Sequence, residues 1–424
     1  MQTHEQKPVG AWRIILILLA VMIALPAFVM GAEIGFAFGA RPGLAVCLMG
    51  GAVLGGLAAL TGAAGAQRRC TTYELIGEAF GPQGAKLTNA VLGISVLGWY
   101  GVMATMLGHA LAGMGPGLAS QPLWLLSLAG CVLTTVTAMV GFRALNWLST
   151  LTTPLKIGLL AWTFGAALSG GNKSAALWSY APAAATPLGT GVSMVVGGLI
   201  VGAVLTPDVC RFAVSPKRAA LGAGLAYGLG FPLVLILSGT PSLVSGEKDM
   251  IRIMLALGLG LPAMLTVVLT AWSTNTFNLY SATLIGQTLA PRVPSWRLAL
   301  LAGVVGTAAG LGGISEMLLP YLLWLSITIP PIAGIYLVHV AMAGKDRAPA
   351  TGWRPEAIAA WVIGSAWAAL APRWGWALTP VAAIDALGIS AAAFAALSRL
   401  RSFRSGSSPG PVSASRSSRG SAGP

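Results

Sequence analysis

Residues 269–284, LTAWSTNTFNLYSATL, put hydroxyls and amides into the middle of a long apolar run. On a helix, Thr270, Ser273, Thr274, Phe277, Asn278 and Ser281 follow at steps of three and four and share one face. Asn275 lies on the flank of that face, one turn from Asn278. Hydroxyls and freed carbonyls are neutral oxygen ligands, suited to a hard monovalent cation such as Na⁺. An amide carries a donor and an acceptor side by side, so it can meet the edge of a lactam or amidine ring with two hydrogen bonds. Polar contacts between helices in a bilayer contribute only about 0.6 kcal/mol each. Ser273, Thr274, Asn275, Thr276 and Asn278 together exceed what packing asks for.

Other residues could join this chemistry. Trp99 sits between Gly98 and Gly101 in ISVLGWYGVMA, in mid-segment, where small neighbours leave a ring face open to a flat ligand. Glu33, in MGAEIGF, falls inside an apolar segment, where a central charge costs about 2.5–3.5 kcal/mol on insertion scales. It reads as a gate or proton site, or as a structural pair. Asp208 and Arg211, in TPDVCRF, read as a gating or structural ion pair. Lys156 lies inside another apolar segment and receives no role. With no cation beside Trp99 and Asn275, the expected ligand is a small neutral aromatic ring. There is no GxxxxGK[ST], HExxH or GxSxG motif, so neither an enzyme nor ATP-driven transport is expected. Cys47, Cys70, Cys131 and Cys210 show no metal-binding or disulfide spacing, and no cofactor is expected.

The elements that must position these residues are membrane helices. The 424 residues are 56% hydrophobic and 8% charged, with a mean hydropathy of +0.79, against roughly 25% charged in soluble domains. Twelve apolar spans are expected, at roughly 13–38, 43–66, 86–113, 122–141, 147–169, 187–209, 217–240, 257–286, 297–314, 317–342, 354–371 and 376–398. With even span number, 19 Lys and Arg fall on the side of the termini and five on the other, which places both termini in the cytoplasm. The net charge of +14 is thus a topology signal and not a nucleic-acid surface. Residues 1–12 form a cytoplasmic N-terminus, 13–398 the membrane domain and 399–424 a disordered basic tail near lipid headgroups.

Three spans carry helix breakers at depth: Pro26 in the first, Gly197, Gly198, Gly202 and Pro207 in the sixth, and Pro330–Pro331 in the tenth. Breaks in the first and sixth spans have the spacing of two five-helix inverted repeats, about 13–169 and 187–342, followed by two further helices at 354–398.

The segments VLGWYGVMA, VVGGLIVGAVLTPDVCRFA, AWSTNTFNLYSA and IPPIAGIYLVHVAM, in this order, resemble the cytosine permease branch of the nucleobase:cation symporter-1 family. The resemblance runs over roughly 13–400. It implies a leucine-transporter-like fold with broken helices 1 and 6. It implies that Trp99 stacks on the base, that Gly198 and Leu199 line the opposite face, and that Asn275, with Asn278 as second candidate, bonds the ring edge. It also implies a cation site of Ala20 and Ile23 carbonyls with Thr270, Ser273 and Thr274. Leu199 replaces an aromatic residue of the family. The expected function is Na⁺ symport of a cytosine-like nucleobase by a monomer in the inner (plasma) membrane. The alternatives are an H⁺-coupled symporter of a hydroxymethylpyrimidine, hydantoin or purine base, and a non-transporting membrane receptor.

Overall fold

The computed structural model describes residues 8–169, 173–182, 185–248, 250–343 and 352–406, and these are almost entirely helical. A helix stands at each of the twelve expected positions. Among the described residues, eight helices, and the bent pair forming the first span, are long and apolar enough to cross a membrane. Gly260–Leu289, Ser295–Leu311 and Pro355–Leu370 fill the eighth, ninth and eleventh positions. Leu60, Ile94, Val136 and Val304 point outward and are exposed, as lipid-facing side chains are.

The first span is two helices, Ala11–Met22 and Leu25–Phe38, bent by 75°. Pro26 stands in the first turn of the second helix, where its missing N–H costs nothing, so the proline starts a helix and does not kink one. The sixth span breaks later than its glycines suggest. Leu188–Val204 runs unbroken through Gly197, Gly198 and Gly202, and the interruption falls at Leu205–Thr206, ahead of Pro207. The glycines serve close approach. A Cβ on Gly197 would overlap the Leu322 carbonyl, one on Gly198 the end of Met30, and one on Gly202 would lie 2.6 Å from the Tyr227 hydroxyl. The carbonyls freed at the end of this helix are satisfied within the protein. Thr61 Oγ1 donates to Ala203 O at 2.8 Å and Tyr336 Oη to Val204 O at 2.9 Å.

The packing repeats with a period of five spans. The first span packs on the seventh as the sixth packs on the second, and the third packs on the fourth, eighth and ninth as the eighth packs on the ninth, third and fourth. Two bodies result, one of the first, second, sixth and seventh spans and one of the third, fourth, eighth and ninth, and glycines tighten each. Gly31 fits against Ser238 and Leu235 of the seventh span, and Gly55 of the second lies where a Cβ would stand 2.7 Å from Gly228 Cα. Across the third, fourth and ninth spans, Gly306 accommodates the Tyr100 ring, Gly303 accommodates Thr135, and Gly101 faces Gly310. Pro355–Leu370 and Ala382–Gly406 pack on each other and on Pro330–Met342 of the tenth span.

Two boundaries differ from expectation. The third span's helix begins at Thr72 behind a Thr71–Glu74 capping box and turns at Gly81, whose φ of 75° favours glycine. The last helix runs to Gly406, into the expected tail; residues 407–424 lie outside the described residues, as do 1–7.

Candidate functional site

The cavity of interest, about 160 Å³, lies on the seam between the two bodies. One wall comes from the bend of the first span, from Gly198, Leu199 and Leu205 of the sixth and from Phe231 of the seventh. The other comes from Val96 and Trp99 of the third span and from the eighth. On the eighth, Ser273, Thr274, Phe277, Asn278 and Ser281 reach it, which is the helical face read from the sequence. Lys156 of the fifth span completes the ring.

Most expected site residues are therefore together: Trp99, Gly198, Leu199, Asn278, Ala20, Ser273 and Thr274 line one cavity. Trp99 is held edge-on by Tyr321 of the tenth span, with ring centroids 5.6 Å apart and planes at 75°. The Tyr321 hydroxyl donates to the Ser95 carbonyl. The glycines beside Trp99 make room for this framework and not for a ligand: a Cβ on Gly98 would stand 2.8 Å from the Tyr321 ring, and one on Gly101 3.0 Å from Gly310 N.

Asn275 is not in the wall. It is fully buried, and neither its Nδ2 nor its Oδ1 has a hydrogen-bond partner among the described residues. Its axial neighbours Ala271 and Leu279 are buried too, and Leu279 clusters with Tyr100, Cys131 and Ala138 of the third and fourth spans. Asn275 therefore shares the packed side, and Asn278 carries the amide that faces the cavity. Thr270 and Ile23 are also buried outside the wall, and the Thr270 hydroxyl has no partner among the described residues.

The three charged candidates lie elsewhere. Glu33 pairs with Lys248 at 3.0 Å at a half-exposed position, so the charge is solvated and paired, which explains its tolerance in the span. Asp208 accepts the Thr72 backbone N–H at 2.8 Å, capping the start of the third span's helix and not pairing with Arg211. Arg211 stacks on Phe212, 4.5 Å from the ring centre.

Lys156 is the residue that sequence reasoning left without a role. It is 4% exposed, and its Nζ donates to Thr274 Oγ1 at 3.3 Å. No described carboxylate pairs with it. The expectation that no cation stands in the cavity wall is thus overturned. Ser273 is also engaged: it accepts from Thr152 Oγ1 at 3.2 Å and donates to Thr270 O at 3.2 Å. Two hydroxyls of the expected cation set Ala20, Ile23, Thr270, Ser273 and Thr274 are thus engaged within the protein, Thr274 by the Lys156 ammonium and Ser273 by Thr152 and the Thr270 carbonyl.

The family model described as "Permease for cytosine/purines, uracil, thiamine, allantoin" matches residues 2–388. The chain belongs to this family. The resemblance to its cytosine permease branch is borne out: the cytosine permease of Escherichia coli K12 is 30% identical over 339 residues, 79% of this chain and 80% of that protein. The cytosine permease of Escherichia coli O157:H7 matches over the same span at 30%. Among solved structures, Mhp1, a nucleobase-cation-symport-1 family transporter, closed with bromovinylhydantoin bound, superposes with a TM-score of 0.77 at 18% identity, covering 94% of each chain. A Na⁺-coupled sialic acid symporter superposes at 0.67 with 12% identity, covering 92% of this chain and 90% of that one. The fold is that of these multi-pass membrane transporters, with the first span broken at its bend. The permease family is, by its description, one of carriers for small molecules such as cytosine, purines, uracil, thiamine and allantoin.

Proposed function

We propose that this permease is a secondary active symporter that imports a small neutral nucleobase-like ring, cytosine foremost, by alternating access across the inner (plasma) membrane. The observation that carries the reading is the seam cavity, which joins an aromatic ring, an amide and the bend of a broken span between two separately packed bodies. Trp99 offers one face of a sandwich, Leu199 an aliphatic second face, and Asn278 a donor and acceptor for a ring edge. Relative motion of the two bodies would open the seam to either side. The names of its relatives support the substrate class: cytosine permeases in Escherichia coli, and bromovinylhydantoin bound in Mhp1. A paired cation is expected for a symporter. Na⁺ is the ion read from the eighth-span hydroxyls, and Lys156 in the same wall favours a second reading in which Na⁺ takes no part.

The test is uptake of labelled cytosine into proteoliposomes, with competition by hydroxymethylpyrimidine, hydantoin and purine bases. Accumulation above the external concentration is expected and would exclude a receptor. Trp99→Ala should weaken cytosine binding by about 1–3 kcal/mol, the usual worth of a base–aromatic stack. If excess cytosine displaces none of the accepted rings, the cytosine reading is wrong. If no ring accumulates, so is the transporter reading.

A further inference from the structure

We propose that the Lys156 ammonium is the resident cation of this cavity, standing where a Na⁺ would bind, and that substrate binding here is independent of Na⁺. The inference rests on reading the cavity as the transport site. It comes from a mismatch between the oxygen face of the eighth span and what occupies it. Thr274 Oγ1 accepts from Lys156 Nζ at 3.3 Å, and the Ser273 hydroxyl is bonded to Thr152 and to the Thr270 carbonyl.

The surroundings suit a single positive charge. Ala20, Val21 and Met22, the last turn of helix Ala11–Met22, line the same cavity. A helix C-terminus leaves its final carbonyls without intrahelical partners and carries the negative end of the dipole. A buried ammonium without a carboxylate needs such neutral oxygens, because an unpaired charge at depth is costly. A second monovalent cation on the same hydroxyls would meet a like charge at contact range, in a setting of low dielectric. A Na⁺ ion can leave to either side of the membrane, whereas a charge carried by the chain cannot. A Na⁺ gradient therefore has no route through these hydroxyls.

Two readouts separate this inference from the substrate reading. The first needs no substrate: the melting temperature of the detergent-purified protein in NaCl against choline chloride of equal strength. The wild type should show no Na⁺-specific rise. Lys156→Ala, which empties the position, should gain one, since a ligand that binds only the folded state raises its stability. The second is binding of labelled cytosine in the two salts: equal affinity for the wild type, and at least tenfold tighter binding in NaCl for Lys156→Ala. A Na⁺-specific thermal rise in the wild type, or a tenfold Na⁺ stimulation of its cytosine binding, overturns the inference. So does a Lys156→Met protein that stays indifferent to Na⁺ but loses anionic bases alone, since the ammonium would then serve the substrate. If Lys156→Ala does not fold, the wild-type arms still decide. If cytosine fails to bind in either salt, the substrate reading falls and the thermal comparison stands by itself.

Discussion

Gly198→Ala isolates the cavity from the fold. Outside its own helix, and among the described residues, the added Cβ meets only Met30: it overlaps Met30 Cε and lies 3.0 Å from its sulfur. Met30 is buried and also lines the cavity, so its displaced end has the cavity as its free space. Overpacking a core costs about 1–3 kcal/mol. Here the only neighbour is the end of a flexible thioether, which places the cost at the lower end, about 1–1.5 kcal/mol. If that cost appears only when the ring is bound, cytosine affinity falls roughly five- to tenfold. Gly197→Ala is the contrast. Its Cβ meets the carbonyl of Leu322 on the tenth span, backbone that cannot turn aside, so the loss should appear as a lower melting temperature. The assay is labelled-cytosine binding on wild type, Gly198→Ala, Met30→Ala and the double variant, with melting curves for each. The double variant should recover most of the lost affinity, giving a coupling energy of about 0.5 kcal/mol or more. If Gly198→Ala binds like wild type, or Met30→Ala rescues nothing, the placement of Met30 between the sixth span and the ligand is wrong.

Three further outcomes follow. Asn278→Ala should weaken cytosine binding by about twofold to roughly a hundredfold, the loss of one or two hydrogen bonds of roughly 0.5–1.5 kcal/mol each. Asn275→Leu should leave affinity within about twofold and hold or raise the melting temperature, since replacing an unpaired buried amide by an apolar group of similar size is nearly neutral or stabilising. Equilibrium binding and thermal melting of the two variants check this, and a binding loss on Asn275→Leu alone would restore Asn275 as the ring partner. Glu33→Gln should leave the pH profile of uptake unchanged and alter stability by no more than about 1 kcal/mol, as expected for a half-exposed ion pair. A shifted pH profile would return Glu33 to the transport cycle.

Much of the fold was legible because bilayer physics leaves few options. Apolar runs of about twenty residues must be helices, and the position of Pro26 marked the first break. The sixth span was harder, because glycine has two meanings that composition does not separate. Gly197, Gly198 and Gly202 looked like a break and are close contacts with Leu322, Met30 and Tyr227. Gly98 and Gly101 looked like space left beside Trp99 and instead admit Tyr321 and the ninth span. The difference depends on which helix stands opposite, a long-range fact that no local window contains. The helix Thr72–Ala112 carried its own signals, Thr71 and Glu74 at capping-box spacing, but its polar first turns fall below an apolar-run criterion.

Within the site, periodicity proved a better guide than motif position. The face through Ser273, Thr274, Phe277, Asn278 and Ser281 follows from 3.6 residues per turn, and it is the face that reaches the cavity. Asn275 was chosen by resemblance, and its angular offset from that face turns it toward Leu279 and the packed third and fourth spans. Lys156 defeated both approaches. Its own segment gives it no partner, and the hydroxyl it bonds is 118 residues away on another span. A lone lysine in an apolar helix must still end in a polar place, because its ammonium cannot be left bare at depth. The oxygen-rich face of the eighth span was the best such place visible in the sequence. Matching the unassigned lysine to the oxygen face of the eighth span would have joined Lys156 to Thr274, and would have put the identity of the cation in question before that of the ring.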